Sequence, residues 1–291
     1  MDDASVDIAA TPDRKPDDRE IDVWGLTHTG KVRKDNQDNF LIASLQKRLD
    51  VRGTSLTGLD SRNSWEDRLA FVAVVADGVG GGEQGEAASR LAVETVMEYI
   101  THSMQLYYTA DAREESFMQA LQDVALQCHA KVLERAEADG ARSMATTLTL
   151  YLGVWPWFYL LQVGDSRYYL YREGRLTQIT RDQTMAQELV EQGVFTRADA
   201  ERSRFAHVLS SAIGGKSTVP QVARFQADWR NVHLLCSDGL TRHVTDERIR
   251  EVLGSMTSAQ QACETLLEDA LAGGGTDNIT IVVGRAVATR G

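Results

Sequence analysis

The sequence predicts an α+β protein in which antiparallel sheets are covered by long helices. Three observations carry this. Runs rich in β-branched and aromatic residues, bounded by Gly or Asp, recur along the chain. Several follow one another with only turns between, which implies antiparallel meanders and not a strictly alternating β-α-β chain. Two long stretches instead space their apolar residues by three and four, the period of a helix with one buried face.

In chain order, strands are expected at 22–27, 39–43, 69–76, 146–153, 157–163, 168–172, 232–236 and 279–284. Residues 146–180 read as three consecutive strands, with Val154-Trp155-Pro156 and Gly164-Asp165-Ser166 as connections. Helices are expected from Glu83 to about Met104 and from Glu114 to about Ala138. In the second, Phe117, Leu121, Val124, Cys128 and Val132 form one apolar stripe. Two shorter helices follow, 246–253 and 258–271, the latter with Ala262, Leu266 and Ala270 on one face. Residues 44–69 form a polar insertion without an assigned element. Residues 1–20 hold seven acids against three bases, with two of the four prolines, and read as a solvated, disordered acidic tail. Residues 21–288 then form one domain, with no repeat at solenoid length.

The 291 residues are long enough to bury a large core, and 43% hydrophobic with 25% charged residues excludes wholesale disorder. A formal charge of −11 disfavours nucleic acid and anionic membrane surfaces as partners. No apolar run approaches the roughly 18 residues of a membrane span, and the N-terminus lacks a signal-peptide pattern. Cys128, Cys236 and Cys263 are an odd set lying in apolar sequence, as buried reduced thiols do, so the cytoplasm is the expected compartment; a monomer is also expected.

The chemical signal is a repeated corner: an apolar strand followed by Asp with Gly, Ser or Asn. It occurs at Asp77-Gly78, Asp165-Ser166 and Asp238-Gly239; Asp277-Asn278 stands just before the last strand, and Asp38 in Asn36-Gln37-Asp38 is a fifth acid. Asp-Gly is ordinary turn chemistry at any one of these places. A carboxylate at a strand end is also held rigidly, as a hard cation requires. Five carboxylates gathered in one cleft would repel one another unless divalent cations neutralised them.

Gly30-Lys31-Val32-Arg33-Lys34-Asp35-Asn36-Gln37-Asp38, Val75-Ala76-Asp77-Gly78-Val79-Gly80-Gly81, Met144-Ala145-Thr146-Thr147-Leu148, Val163-Gly164-Asp165-Ser166-Arg167, Cys236-Ser237-Asp238-Gly239-Leu240 and Gly275-Thr276-Asp277-Asn278-Ile279-Thr280 stand in one order. In that order and register the chain resembles the bacterial metal-dependent serine/threonine phosphatases of the PP2C (PPM) family, from about Asp22 to Val283. The resemblance implies a four-layer α/β/β/α sandwich, two antiparallel sheets flanked by helices, with a dinuclear Mn²⁺ or Mg²⁺ centre at one end. It implies hydrolysis of phosphoserine and phosphothreonine by activated hydroxide, with no covalent intermediate, on phosphorylated protein substrates supplied by an opposing kinase in signal transduction. By the same resemblance Asp77 bridges the metals, the Gly78 carbonyl binds the second, and Asp238 and Asp277 complete the first. Asp38 holds metal-bound water, Arg33 grips the substrate phosphate, and Asp165 with Asp238 serves a third, weaker metal. Residues 184–215 correspond to a mobile flap. Two cations sharing a water can bring its pKa toward neutrality, and the arginine fork matches phosphate.

Two positions depart from the eukaryotic pattern. Gln37 stands where many relatives have Glu, so its contact with metal is expected to pass through water. Val79 replaces a histidine assigned as general acid, so metal-bound water or another, unassigned side chain is expected to do that job; His28 is a candidate, with a structural or solvent-facing role the better reading for it. Two decoys also need weighing. Residues 80–85 satisfy G-x-G-x-x-G, but the chain runs on through helical sequence where a second strand should come. Cys236 to Arg242 fits the C-x5-R thiolate loop of cysteine phosphatases, yet Asp238 inside it would raise the thiol pKa and repel phosphate. The remaining alternative is a non-catalytic binding module that keeps the fold, against which stands the full set of metal-site aspartates.

Overall fold

The structure is a computed structural model that describes residues 14–50, 64–80, 82–102, 114–141 and 143–288. Two antiparallel sheets stack face to face. The first joins β1 (Ile21–His28), β11 (Ile279–Ala286), β10 (Val232–Cys236), β7 (Arg167–Arg172) and β8 (Arg175–Gln178) in that order. The second joins β2 (Asp38–Asp50), β3 (Ser64–Val79), β5 (Leu148–Val154), β6 (Trp157–Val163) and β9 (Gln221–Gln226), and the short β4 (Ala145–Thr146) pairs with the end of β3. Seven α-helices are present among the described residues: α1 (Glu83–His102), α2 (Glu114–Ala138), α3 (Met185–Glu191), α4 (Arg197–Glu201), α5 (Asp238–Thr241), α6 (Asp246–Ser255) and α7 (Ala259–Ala272).

Alternation along the strands produces the layers. In β3, Val72, Val74 and Ala76 pack with Ala88, Ala92 and Val96 of α1 and with Phe117, Leu121, Val124, Cys128 and Val132 of α2. The intervening Ala73 and Val75 face the other sheet and meet Phe158, Leu160, Tyr168, Leu235 and Val282. On the far side Leu234, Cys236, Ile279, Ile281 and Val283 pack under Ile249, Leu253, Ala262 and Leu266 of α6 and α7. The central strands are apolar on both faces because each lies between a helix layer and a sheet. The expected four-layer sandwich is thus the observed one.

Several boundaries need correction. The 44–69 insertion is in part a continuation of the β2–β3 hairpin: Ser44 to Asp50 pairs with Phe71 back to Ser64, with a register shift between Leu45 and Gln46. These arms carry polar residues such as Gln46, Lys47 and Arg48 because they extend beyond the core. Residues 51–63 lie outside the described set. The 1–20 tail is also shorter than its composition suggests, since residues 14–20 dock on the body, while 1–13 lie outside the described set. Arg14 binds Glu20 with two hydrogen bonds of 2.7 Å. Its carbonyl accepts from Trp229 Nε1 at 2.8 Å, and Lys15 and Arg68 pair with Asp67 and Asp18. The expected three-strand run has a fourth member in β8, and β9 adds an edge strand unmarked by the sequence pattern.

Within 184–215, α3 and α4 are capped by Thr184 and Thr196, whose hydroxyls accept from Gln187 N and Asp199 N. The segment is tied back by Gly214 N–H donating to His129 Nδ1 at 3.0 Å and by a bridge between Thr146 and Ile213. Between the sheets, at the end where β1 and β10 begin, lies a cavity of about 110 Å³ lined by Phe71, Tyr151, Trp157 and His233. No helix among the described residues is long and apolar enough to cross a membrane.

Candidate metal centre

At the opposite end, five carboxylates sit at strand termini from both sheets. Asp38 opens β2 directly across from Asp77 near the close of β3, so antiparallel register alone brings the two together. Asp77 is fixed by its backbone: its N–H donates to Thr147 Oγ1 at 2.9 Å, and its carbonyl accepts from Thr147 N and Thr146 Oγ1, both at 2.9 Å. Asp165 lies in the β6–β7 turn beside Ser166, whose hydroxyl shares a 2.8 Å hydrogen bond with Thr147. Gly164 takes φ +103° there, a conformation that suits glycine. Asp238 starts α5 immediately after β10, and Asp277 precedes β11.

The loop of residues 29–37 closes over this end through Asn278. Its Nδ2 donates to the carbonyls of Thr29 and Asp35 at 2.9 and 3.0 Å, and its Oδ1 accepts from Gln37 N at 2.9 Å. Gly30, at φ +83°, permits the approach, since a Cβ there would lie 2.2 Å from the Asp277 carbonyl. The loop delivers Arg33, whose Nε and Nη2 contact Asp277 Oδ1 and Oδ2 at 2.7 and 2.8 Å, a bidentate fork on a half-exposed side chain.

Asp38, Asp77, Asp165 and Asp238 are held above the ordinary carboxylate range, and burial is the first cause in each. Asp38 is pushed up to about 6, with the charge of Asp238 adding to burial while the Thr280 hydroxyl, 2.7 Å from Oδ2, opposes it. Asp77 is raised well above its usual value by burial and then by Asp38, Asp238, Asp165 and Asp277. Asp165 is raised by burial and Asp238. Asp238 is raised by burial, against Arg242. Asp38 Oδ1 is buried without any hydrogen-bond partner. An all-oxygen donor set that includes an orphaned buried carboxylate oxygen fits hard divalent cations such as Mg²⁺ or Mn²⁺. The set is not pre-closed into a cage: among the described residues no three His, Cys, Asp or Glu side chains already converge as a ligand group. Arg242 stands between two of them instead. Arg242 Nη1 donates to Asp277 Oδ2 at 2.6 Å and its Nη2 to Asp238 Oδ2.

All seven sequence-derived residues, Arg33, Asp38, Asp77, Gly78, Asp165, Asp238 and Asp277, therefore fall at this end of the sandwich. Arg242, Asn278, Thr280 and His207 were not among them. His207 brings its Nδ1 to 3.8 Å from Asp238 Oδ2 and has its pKa lowered by burial and by Arg242. His28, by contrast, accepts from the Gly30 N–H at 2.9 Å and shapes the loop. Gln37 holds the β3–α1 turn through Nε2 to the carbonyls of Gly80 and Gly82. That turn leads by way of α1 to a second long helix, and the strand pairings among the described residues are antiparallel, so the G-x-G-x-x-G run lacks its βαβ setting. Cys236 is buried with its thiol pushed up to about 12, the reverse of a thiolate nucleophile.

A family model described as protein phosphatase 2C matches residues 59–273, about three quarters of the chain. The chain belongs to the protein phosphatase 2C family. This family member is 34% identical over 220 residues to the serine/threonine protein phosphatase PstP of Mycobacterium tuberculosis, covering 75% of the chain but only 41% of that relative's length. It is 31% identical over 216 residues to the serine/threonine phosphatase stp of Listeria monocytogenes, covering 73% and 83%. Its fold matches a crystal structure of Mycobacterium tuberculosis PstP with TM-score 0.73 and 28% identity, over 92% of this chain and 99% of that one. A structure of the PstP catalytic domain in complex with two manganese ions matches with TM-score 0.71, 29% identity and the same coverage.

Proposed function

We propose that this protein phosphatase 2C family member hydrolyses phosphoserine and phosphothreonine in proteins, using two Mn²⁺ or Mg²⁺ ions and no covalent enzyme intermediate. The observation that carries the reading is the set of strand-end carboxylates gathered at one end of the sandwich, with an orphaned oxygen on Asp38 and the Arg33 fork on Asp277. Asp77, Asp238 and Asp277 would hold the metals together with the Gly78 carbonyl, and Asp165 with Asp238 is the place for a weaker third. The ions supply Lewis acidity that makes water nucleophilic at neutral pH and offsets charge on the phosphoryl group. Asp38 orients the attacking water through its free oxygen, while Thr280 fixes the other. Arg33, half-exposed and planar, turns from Asp277 to bind two phosphoryl oxygens and set the ester in line. Asp77 stays rigid because both its N–H and its carbonyl are bonded to Thr147. The substrates are phosphoproteins made by an opposing serine/threonine kinase, and three buried free thiols suit a reducing compartment such as the cytoplasm.

The test is p-nitrophenyl phosphate and phosphopeptide hydrolysis with Mn²⁺, then with EDTA, then after iodoacetamide. Activity should require the metal and survive alkylation. Activity that survives EDTA and dies with iodoacetamide would transfer the chemistry to Cys236.

A further inference from the structure

Arg242 is positioned by helix geometry. It follows Asp238 by four residues, the spacing that stacks two side chains on one helix face, and it caps α5, so its guanidinium remains within reach of that carboxylate. Its other arm reaches Asp277, just before the neighbouring strand β11, joining two carboxylates that come from adjacent strand ends of one sheet. Asp277 Oδ2 thereby receives donors from Arg242 and Arg33 together. The side chain is only a quarter exposed, so the contacts are made with little water to screen them.

We propose that Arg242 is a resident counter-ion, competing with divalent cations for Asp238 and Asp277 and so setting the metal concentration at which the site fills. The inference rests on the metal reading proposed above. A cation that takes both carboxylates must displace the guanidinium or bind beside its positive charge, and either lowers affinity. With no metal bound, the same guanidinium compensates buried carboxylates that would otherwise repel one another. Removing it therefore has two effects of opposite sign: the metal-free protein loses stability and the metal binds more tightly. A residue that only terminates α5 would show the first effect alone. A residue that only contacts substrate would shift KM and leave metal affinity unchanged. Lysine in its place brings a compact ammonium without the span and planar fork of the guanidinium, so it competes less.

Chelator-stripped wild type, Arg242→Gln and Arg242→Lys are titrated with MnCl₂ by calorimetry and melted in EDTA. Arg242→Gln should bind Mn²⁺ about tenfold more tightly, the scale of one charged hydrogen bond, and melt at a lower temperature in EDTA. Arg242→Lys should lie between it and wild type on both measures, which keeps a readout if the glutamine variant folds poorly. Equal or weaker Mn²⁺ binding by both variants, with wild type binding normally, overturns the role of Arg242 and leaves the metal reading standing. A wild type that takes up no Mn²⁺ removes both.

Discussion

Asp38→Asn should make the metal-free protein more stable at neutral pH. Asp38 is 4% exposed, its Oδ1 has no partner, and its carboxyl is pushed from 3.8 to about 6, first by burial. For an acid whose folded-state pKa is raised, the cost to stability is absent below the unfolded value and grows as pH rises, becoming complete above the folded value. The window is therefore about pH 4 to 6. A shift of about 2 units corresponds to ~3 kcal/mol at pH 7 and above. Asparagine accepts from Thr280 as Asp38 does and places an amide donor where the orphaned oxygen stood, across from Asp77. Asp77 is itself pushed up by the charge of Asp38, so it is relieved as well. In EDTA at pH 7.5 the variant should melt roughly 5–10 °C above wild type. That gap should shrink toward zero by pH 4, and the variant should be inactive with Mn²⁺. A variant less stable than wild type at pH 7.5, or a gap that does not close on acidification, would refute the claim that this carboxylate is held against its own electrostatics for the sake of a cation.

Two other substitutions probe the scaffold and the substrate arm. Gly239→Ala puts a Cβ 1.9 Å from the Asn278 carbonyl, between the backbones that carry Asp238 and Asp277, and should cost about 3 kcal/mol in urea unfolding together with activity; an unchanged midpoint would count against it. Arg33→Ala removes a half-exposed ion pair and should leave the melting temperature within a degree or two while raising KM for phosphopeptide far more than it lowers kcat. A loss confined to kcat would move Arg33 from substrate capture to the transition state.

The layers were readable from the sequence because the strands that build them are buried on both faces and enriched in Val, Leu and Ile. β9 was not, since Gln221-Val222-Ala223-Arg224-Phe225-Gln226 is a half-buried edge whose polar residues match loop composition. The docked residues 14–20 were misread because their acids are a local network: Glu20 is 2% exposed and bound by Arg14. At the site, Asp77, Asp165, Asp238 and Asp277 are marked by the turn residue that follows each of them. The side chains that hold the aspartates carry no such mark. Thr280 reads as an ordinary strand residue, and only the crossing of β2 against β11 places it on Asp38. Arg242 was visible in sequence only as the last letter of a cysteine-phosphatase pattern. Its partners are four and 35 positions away, and the second is fixed by sheet topology alone.

The register shift in the long hairpin separates two jobs. From Asp38 to Leu45 each residue faces one partner, Asp77 back to Ala70, while Gln46 faces Arg68 and Leu69 is left over. That single unpaired residue acts as a slip joint. Beyond it Gln46 to Asp50 pair with Arg68 back to Ser64 in a shifted phase, while the pairs from Asp38 to Leu45 keep the register that sets Asp38 across from Asp77. The phase change is thus confined to the part of the hairpin that runs past the core, away from the strand ends that carry the centre.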